Sequence, residues 1–282
     1  MPSQDMDAGA APVRARIVRA IRNDIESGRL RDGESLPATR TLAAQMDASV
    51  FTINEAMKVL AGEGLIENRP GSGRVVRSGH LRPAPERAAR APHAYFVGGY
   101  AGSGKSETAR VISRLTGAPV VDKDTITRAV VEGALEAMGR PPHDRESETY
   151  LEHVRPREYE CLNATVLENA ALGIGVVGTA PYVAEFGDRA WIDRSRDQLS
   201  VYGIGLTLVW VSTDVETMHT YLRRRGAARD TVKLANWSDY LNERINVDFR
   251  PVDDHVVIHN SADSEPLQSQ VTRMLADVAA RS

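Results

Sequence analysis

Three observations predict an α/β chain made of a small helical head and a larger body with a parallel sheet. Three amphipathic helical stretches and two short strands come first, and short apolar strands alternating with helices fill the rest. Between them Gly79 to Pro92, GHLRPAPERAARAP, is rich in Pro, Ala and Arg and lacks apolar periodicity, so it reads as a linker. Strands alternating with helices imply a sheet covered by helices on both faces.

In the head, Val13, Ile17, Ile21 and Ile25 recur every fourth residue and mark the apolar face of a first helix. The tail before Val13 is expected to lack fixed structure. Pro37 suits the first turn of a second helix, with Leu42, Ala43 and Met46 facing inward. Ser49 can cap a third helix, whose Ile53, Ala56, Met57 and Leu60 fall at i, i+3, i+4 and i+7. Gly64 ends it. In LIENRPGSGRVV two short strands flank a hairpin tip at Pro70, Gly71 and Gly73. Three helices, a tight turn and a hairpin make a winged helix-turn-helix. Such a fold offers the N-terminal side chains of its third helix to the major groove of double-stranded DNA, and its wing to the backbone or minor groove.

In the body, Ala94–Gly98, Pro119–Val121, Gly173–Val177, Thr207–Val211 and His255–His259 read as buried strands, and Lys105–Leu115 as a helix. The string GYAGSGKS, Gly99 to Ser106, satisfies G-x-x-x-x-G-K-[ST] between a strand and a helix, the context a P-loop requires. Gly99, Gly102 and Gly104 let backbone N–H groups wrap phosphates, in a loop that runs through Ser103 to Glu107 at the positive end of the helix dipole. Lys105 would bridge the β- and γ-phosphates, and the Ser106 hydroxyl would ligate Mg²⁺. The nucleotide expected is ATP or another nucleoside triphosphate. ATP is favoured because no guanine-specifying N-K-x-D string follows the later strands. The fold class is therefore α/β: an N-terminal winged helix-turn-helix, then a P-loop NTPase or kinase domain.

The expected boundaries are 11–78 for the DNA-binding head, 79–92 for the linker and 93–282 for the nucleotide-binding body. The 282 residues suit two domains of unequal size, and 42% hydrophobic with 26% charged residues is ordinary for a soluble globular chain. No apolar run approaches the ~20 residues needed to span a bilayer. The N-terminus has acids where an export signal needs a basic start and an apolar stretch. The lone Cys161 excludes an internal disulfide and reads as a small buried apolar residue. These features predict a cytoplasmic protein without a membrane partner. The first 92 residues hold 14 Lys and Arg against 11 Asp and Glu, and the remaining 190 hold 21 against 27. A mildly basic head on an acidic body is what a DNA-binding module joined to another domain shows.

The string GRLRDGESLPATRTLAAQMDASVFTINEAMKVLAGEGLIENRPGSGRVV resembles the head of the GntR family, with LP before helix two, EA within helix three and GxG in the wing. The resemblance covers roughly residues 11–78. It implies DNA contacts from Arg40 at the start of helix two, from Thr52 in the recognition helix, and from Gly71, Gly73 and Arg74 in the wing. It also implies a homodimer on a symmetric operator. Two positions depart from the family, which usually carries arginine where Val50 and Asn54 stand here. Val50 can touch only a thymine methyl or sugar, and Asn54 suits adenine, so an altered or weaker operator is expected.

VVDKDT places Asp122 and Asp124 after the second body strand, and YLRRRGAARDTVKL places Arg223, Arg224, Arg225 and Arg229 on a helix and the loop beyond it. This combination resembles the P-loop kinases that include zeta toxins and chloramphenicol phosphotransferase, over roughly residues 93–280. The resemblance implies that Asp124 or Asp122 takes the proton of an acceptor hydroxyl and that Arg225 and Arg229 are lid arginines. It also implies that HNSADSEPL packs beside the nucleotide base and that Arg145–Tyr159 covers the acceptor. The plain alternatives are that the aspartates cap the next helix and that the arginines form a solvated face. One departure bears on catalysis: Gly178 and Thr179 stand where many relatives end the third strand with an acid, with Asp122 a substitute through water.

Together these readings predict a transcriptional regulator whose operator affinity responds to nucleotide or to a small-molecule effector. The alternative is an active ATP-dependent phosphotransferase with a small-molecule acceptor, in which the head localises, dimerises or autoregulates the chain. A kinase-like toxin acting on a nucleotide-sugar, with the head repressing its own gene, is a third form.

Overall fold

The structure, a computed structural model, describes residues 5–69, 73–77, 91–226 and 230–281. The head contains α1 (Asp5–Glu26), α2 (Thr39–Met46), α3 (Val50–Gly62) and an antiparallel pair, β1 (Ile66–Arg69) and β2 (Gly73–Val76). Ile17, Ile21 and Ile25 of α1 pack with Ile53, Met57 and Leu60 of α3, Leu42 and Met46 of α2, and Val76 of the wing. The i, i+3, i+4 spacing read from the sequence is therefore the core of the head. Two details differ. The first helix already begins at Asp5, because the alanines at 8, 10 and 11 are strong helix formers. Pro37 lies outside α2, whose N-cap is Ala38. Ser49 caps α3 as expected, its Oγ accepting from the Thr52 N–H at 3.0 Å. The hairpin tip at 70–72, with Gly71, lies outside the described residues, as does the expected linker up to residue 90.

The body is a five-stranded, wholly parallel sheet in the order β4-β5-β3-β6-β7. Its strands are β3 (His93–Gly98), β4 (Val120–Asp122), β5 (Val176–Thr179), β6 (Gly205–Ser212) and β7 (His255–His259). Alternation sends Ala94, Phe96, Leu208 and Trp210 to one face, against Leu162 and Val166 of α6 (Arg155–Ala171) and Ile192 and Leu199 of α8 (Arg189–Ser200). Tyr95, Val97, Val209 and Val211 go to the other face. There they meet Ile112 of α4 (Lys105–Thr116) and Val271 and Leu275 of α12 (Leu267–Arg281). Both faces are covered, as near-continuous apolar strands require. The remaining helices are α5 (Lys123–Ala137), α7 (Val183–Phe186), α9 (Val215–Arg225), α10 (Thr231–Ala235) and α11 (Trp237–Arg244). Five residues of π-helix, Tyr150–Val154, lead into α6. Cys161, expected to be buried, is exposed, because it lies on the solvent face of α6 next to the buried Leu162. Among the described residues no helix is long and apolar enough to cross a membrane.

Head and body touch directly. α1 lies against α4, α9 and α12, and α2 against α9. Tyr221 of α9 is part of the head's apolar core, and its hydroxyl accepts from the Asn23 side chain at 2.6 Å.

Candidate functional site

The loop between β3 and α4 sits at the carboxyl end of the sheet beside the strand-order reversal, where α/β sheets hold ligands. Gly102 and Gly104 have φ of +83° and +95°. A Cβ on Gly102 would fall 2.7 Å from the Met218 carbonyl oxygen, and one on Gly104 would collide with the Asn260 amide. Only glycine therefore permits this loop to curl as closely as phosphate cradling needs. Lys105 Nζ donates to the Tyr100 carbonyl at 2.9 Å. The Ser103 side chain is buried in the loop, its hydroxyl without a hydrogen-bond partner. Glu107, expected among nucleotide-contacting residues, lines the cavity at this loop and is 2.8 Å from Arg29 of the head.

Ser106 Oγ lies 3.5 Å from Asp122 Oδ2. Asp122 ends β4 in register with Thr179 of β5, so a carboxylate stands one strand over from the acid that β5 lacks. The other Asp122 oxygen accepts from Thr125 N at 2.9 Å and caps α5. Capping and site placement are thus two uses of one side chain. Two hard oxygen donors beside a phosphate cradle fit Mg²⁺, which takes one or two protein oxygens and completes its shell with phosphates and water. Among the described residues no cluster of three or more His, Cys, Asp or Glu offers a cage for a metal.

Asp124 opens α5 and lines both cavities that meet at the P-loop. Its Oδ1 is 3.0 Å from Lys123 Nζ, which also lies 2.8 Å from Glu158 Oε1. Glu158 further accepts from Thr127 at 2.9 Å and from the Tyr150 hydroxyl at 2.6 Å. Burial, then the adjacent Glu158, pushes the Tyr150 phenol well above its ordinary value, so it stays a donor. Around this cavity of about 260 Å³ stand Arg145, Arg155, Lys233, Tyr159 and Tyr240. Arg155 Nη2 donates to both Glu185 carboxylate oxygens, at 2.8 and 2.9 Å, and its guanidinium lies over the Tyr159 ring. Arg145, Tyr150, Leu151, Arg155 and Tyr159 of the segment 145–159 line this cavity.

The second cavity, about 180 Å³, holds Gly102, Gly104, Lys105, Ser106, Asp122 and Asp124 together with Arg29, Arg110, Arg128, Arg224 and Arg225. Arg225 donates to Asp230 Oδ2 at 2.8 Å from Nε. Arg224 pairs with the buried Asp24 of the head, and burial lowers its guanidinium to about 10. Arg223 is exposed and 2.6 Å from Asp47. The second expected lid arginine, Arg229, lies outside the described residues. Arg110 and Arg128 were missed in the sequence. They stand four residues after Ser106 and Asp124, one helical turn along the same face, a spacing that could have flagged them. No sequence signal marks Arg29, which arrives by tertiary docking.

In the head, Arg40 is exposed at the start of α2, and Val50 is 46% exposed at the start of α3. Thr52, expected among DNA contacts, is buried with its hydroxyl 2.8 Å from Ser49, because it completes the cap; the outward residue is Phe51, 67% exposed. Asn54 Oδ1 accepts from Arg74 Nη2 at 2.8 Å, and Arg74 Nη1 donates to Thr39 at 3.0 Å. This bond leaves the Asn54 NH₂ group and the second lone pair of its oxygen for other partners. Gly73 opens β2 at φ +74°.

Residues 13–76 match the bacterial regulatory proteins of the gntR family. Residues 95–244, more than half of the chain, match the AAA domain family. The chain belongs to the AAA domain family. Its AAA domain is thus joined to a gntR-type helix-turn-helix head. The head is 33% identical over 70 residues to the HTH-type transcriptional regulator SmoD of Agrobacterium fabrum, covering 25% of this chain and 30% of that protein. It is 36% identical over 62 residues to the uncharacterized HTH-type transcriptional regulator YdeL of Bacillus subtilis, covering 22% of this chain and 13% of that one. The matches thus span under a third of these relatives' length. Among solved structures, a gluconokinase from Sinorhizobium meliloti is similar at 16% identity and a TM-score of 0.44, over 68% of this chain and 96% of that chain. The P-loop, kinase-like fold of the AAA domain implies nucleotide binding, typically with Mg²⁺.

Proposed function

We propose that the chain is a DNA-binding transcriptional regulator whose operator affinity responds to ATP bound in its AAA domain. The observation that carries this reading is the head's entry into the phosphate cavity, through Arg29 on Glu107 and Asp24 on Arg224. A ligand with phosphates there changes the electrostatics of both pairs, so the two domains are linked energetically wherever the ligand favours one arrangement. Lys105 would hold the β/γ-phosphates, Ser106 and Asp122 would hold Mg²⁺, and Arg225 would offset phosphate charge from the same cavity. Arg40, Arg74, Asn54, Val50 and Phe51 face a symmetric operator in a homodimer. When bound, Mg²⁺ neutralises phosphate charge; ATP offers a γ-phosphoryl group. The test is operator affinity of the full chain with and without ATP and Mg²⁺. Lys105→Ala is expected to lose about tenfold or more in ATP affinity, and with it the ATP effect on DNA. Equal ATP effects in both proteins contradict the reading.

One observation supports a second reading, a small-molecule phosphotransferase. Asp124 lies at the junction of the phosphate cavity and the Tyr-lined cavity, with Lys123 beside it. There its carboxylate would take an acceptor hydroxyl's proton while Arg225 offsets charge on the transferring group. Turnover of a small hydroxylated acceptor by wild type, and none by Asp124→Asn, would favour it.

A further inference from the structure

The P-loop opens in two directions. Toward β4 and β5 lies the cavity of Asp124, Lys123 and Tyr159. A terminal phosphate aimed at that side leaves the rest of a nucleoside triphosphate to run the other way, past Gly104 toward the carboxyl ends of β6 and β7. That way is bounded by Asn260, which meets Gly104, by the carbonyls of Ser264 and Glu265, and by Tyr221 and Arg224 of α9.

Helix α1 of the head is packed into this space. Arg19, fully buried, donates to the carbonyls of His259 at 2.9 Å, Ser264 at 2.7 Å and Glu265 at 2.5 Å, and to Asn260 Oδ1 at 2.9 Å. Asn23 donates to Asn260 Oδ1 and to Tyr221, each at 2.6 Å. Asn260 in turn donates to the Ser103 carbonyl of the P-loop at 2.9 Å. The cavity left open, about 180 Å³, is smaller than the roughly 300–1,000 Å³ of ordinary small-molecule pockets. Phosphates fit it, and the space beyond Gly104 is taken up by Asn260 with Arg19 and Asn23 bonded to it. The contact is also polar for one between buried surfaces. Arg19 hydrogen-bonds to carbonyls and an amide rather than to a carboxylate, burial lowers its pKa, and the Asn23 side-chain oxygen has no hydrogen-bond partner. Buried charge held this way is costly, which suits docking that comes apart.

We infer that the docked head fills the nucleoside half of the site, so that the docked chain binds base-free polyphosphate and a nucleoside triphosphate binds only once the head has left. This rests on the nucleotide reading of the P-loop and fixes the sense of its regulation. Tripolyphosphate, bridging Lys105, Arg29 and Arg224, holds the head in place; ATP displaces it. Apparent ATP affinity is reduced by the fraction of undocked chain, whereas tripolyphosphate affinity is not.

The experiment compares tripolyphosphate and ATP, each with Mg²⁺, by calorimetry on the full chain, alongside hydrogen exchange of residues 19–28. In wild type, tripolyphosphate is expected to bind about tenfold or more tighter than ATP, the penalty of a site at least 90% docked. ATP is expected to speed exchange of α1 and tripolyphosphate to slow it. Arg19→Ala, or Asn23→Ala if that variant folds poorly, is expected to tighten ATP by a similar factor and to weaken tripolyphosphate by no more than the factor with which that ligand slows α1 exchange in wild type. ATP binding equally to wild type and variant, with α1 exchange unmoved, overturns the competition while leaving the nucleotide site intact. Failure of both ligands to bind any of these proteins overturns the nucleotide reading and the competition with it.

Discussion

The two sides of the P-loop are built differently. The β4/β5 side is a cavity lined by Lys123, Tyr150, Tyr159 and Asp124, with a buried ion-pair network around Glu158 behind it. The β6/β7 side is filled by another domain through Arg19, Asn23 and Asp24. A chain built for transfer alone would keep both sides open to ligand. In the proposed readings the open side would take a small acceptor, and the occupied side would report to the helix-turn-helix head. One cradle would then serve two tasks that substitutions can separate.

The sharpest separation comes from Asp124→Asn. Any phosphoryl transfer is expected to fall by about 10²–10⁴, since an amide cannot accept the hydroxyl proton, while operator affinity with and without ATP is unchanged. A loss of ATP-linked DNA binding in this variant would show that the two sides are not independent. Next in size is Asp24→Asn on the occupied side. The Asp24 side chain is 1% exposed and its Arg224 partner 18%, and breaking such a pair costs about 3–5 kcal/mol. Head docking is expected to weaken accordingly, read as faster exchange of α1, with the wing and α3 unaffected. Smallest is a pH effect confined to the body. Burial lowers the pKa of His93, whose ring Nε2 lies 2.9 Å from Thr207 Oγ1. Its neutral form is favoured in the fold, so stability is full above the unfolded value of about 6.5 and declines as pH falls from there toward the folded value. Thermal melts from pH 7.5 to 5 should show this decline, and His93→Gln should flatten it. A flat profile in wild type would remove His93 from the account.

What could be read in the sequence follows from how local each feature is. Helix faces, the Ser49 cap, the strand alternation and the P-loop are written in spacings of a few residues, and Ile17, Ile53 and the run Gly99–Ser106 stand where those spacings put them. Thr52 illustrates a local ambiguity: a recognition-helix position is also a capping position, and the hydrogen bond to Ser49 decides. The pairing of Asp122 with Thr179 across strands needed the sheet order, which spacing does not contain. Least legible was the docking of α1. Arg19, Asn23 and Asp24 share a face with nothing unusual about it, and their partners lie some 200 residues away in sequence, up to |i−j| of 246 for Arg19 with Glu265. A polar helix face looks solvated until a second domain supplies its acceptors.

The central claim, that nucleotide and operator act on each other through the head, is tested most directly by measuring both halves of one linkage. Operator affinity is measured with and without saturating ATP and Mg²⁺, and ATP affinity with and without saturating operator, in the same buffer and salt. With the docked head as the operator-binding form and ATP releasing it, as proposed, ATP is expected to weaken operator binding by a factor within about 5–150, and operator to weaken ATP binding by that same factor. A factor of one in both directions, with each ligand binding well alone, would contradict the account.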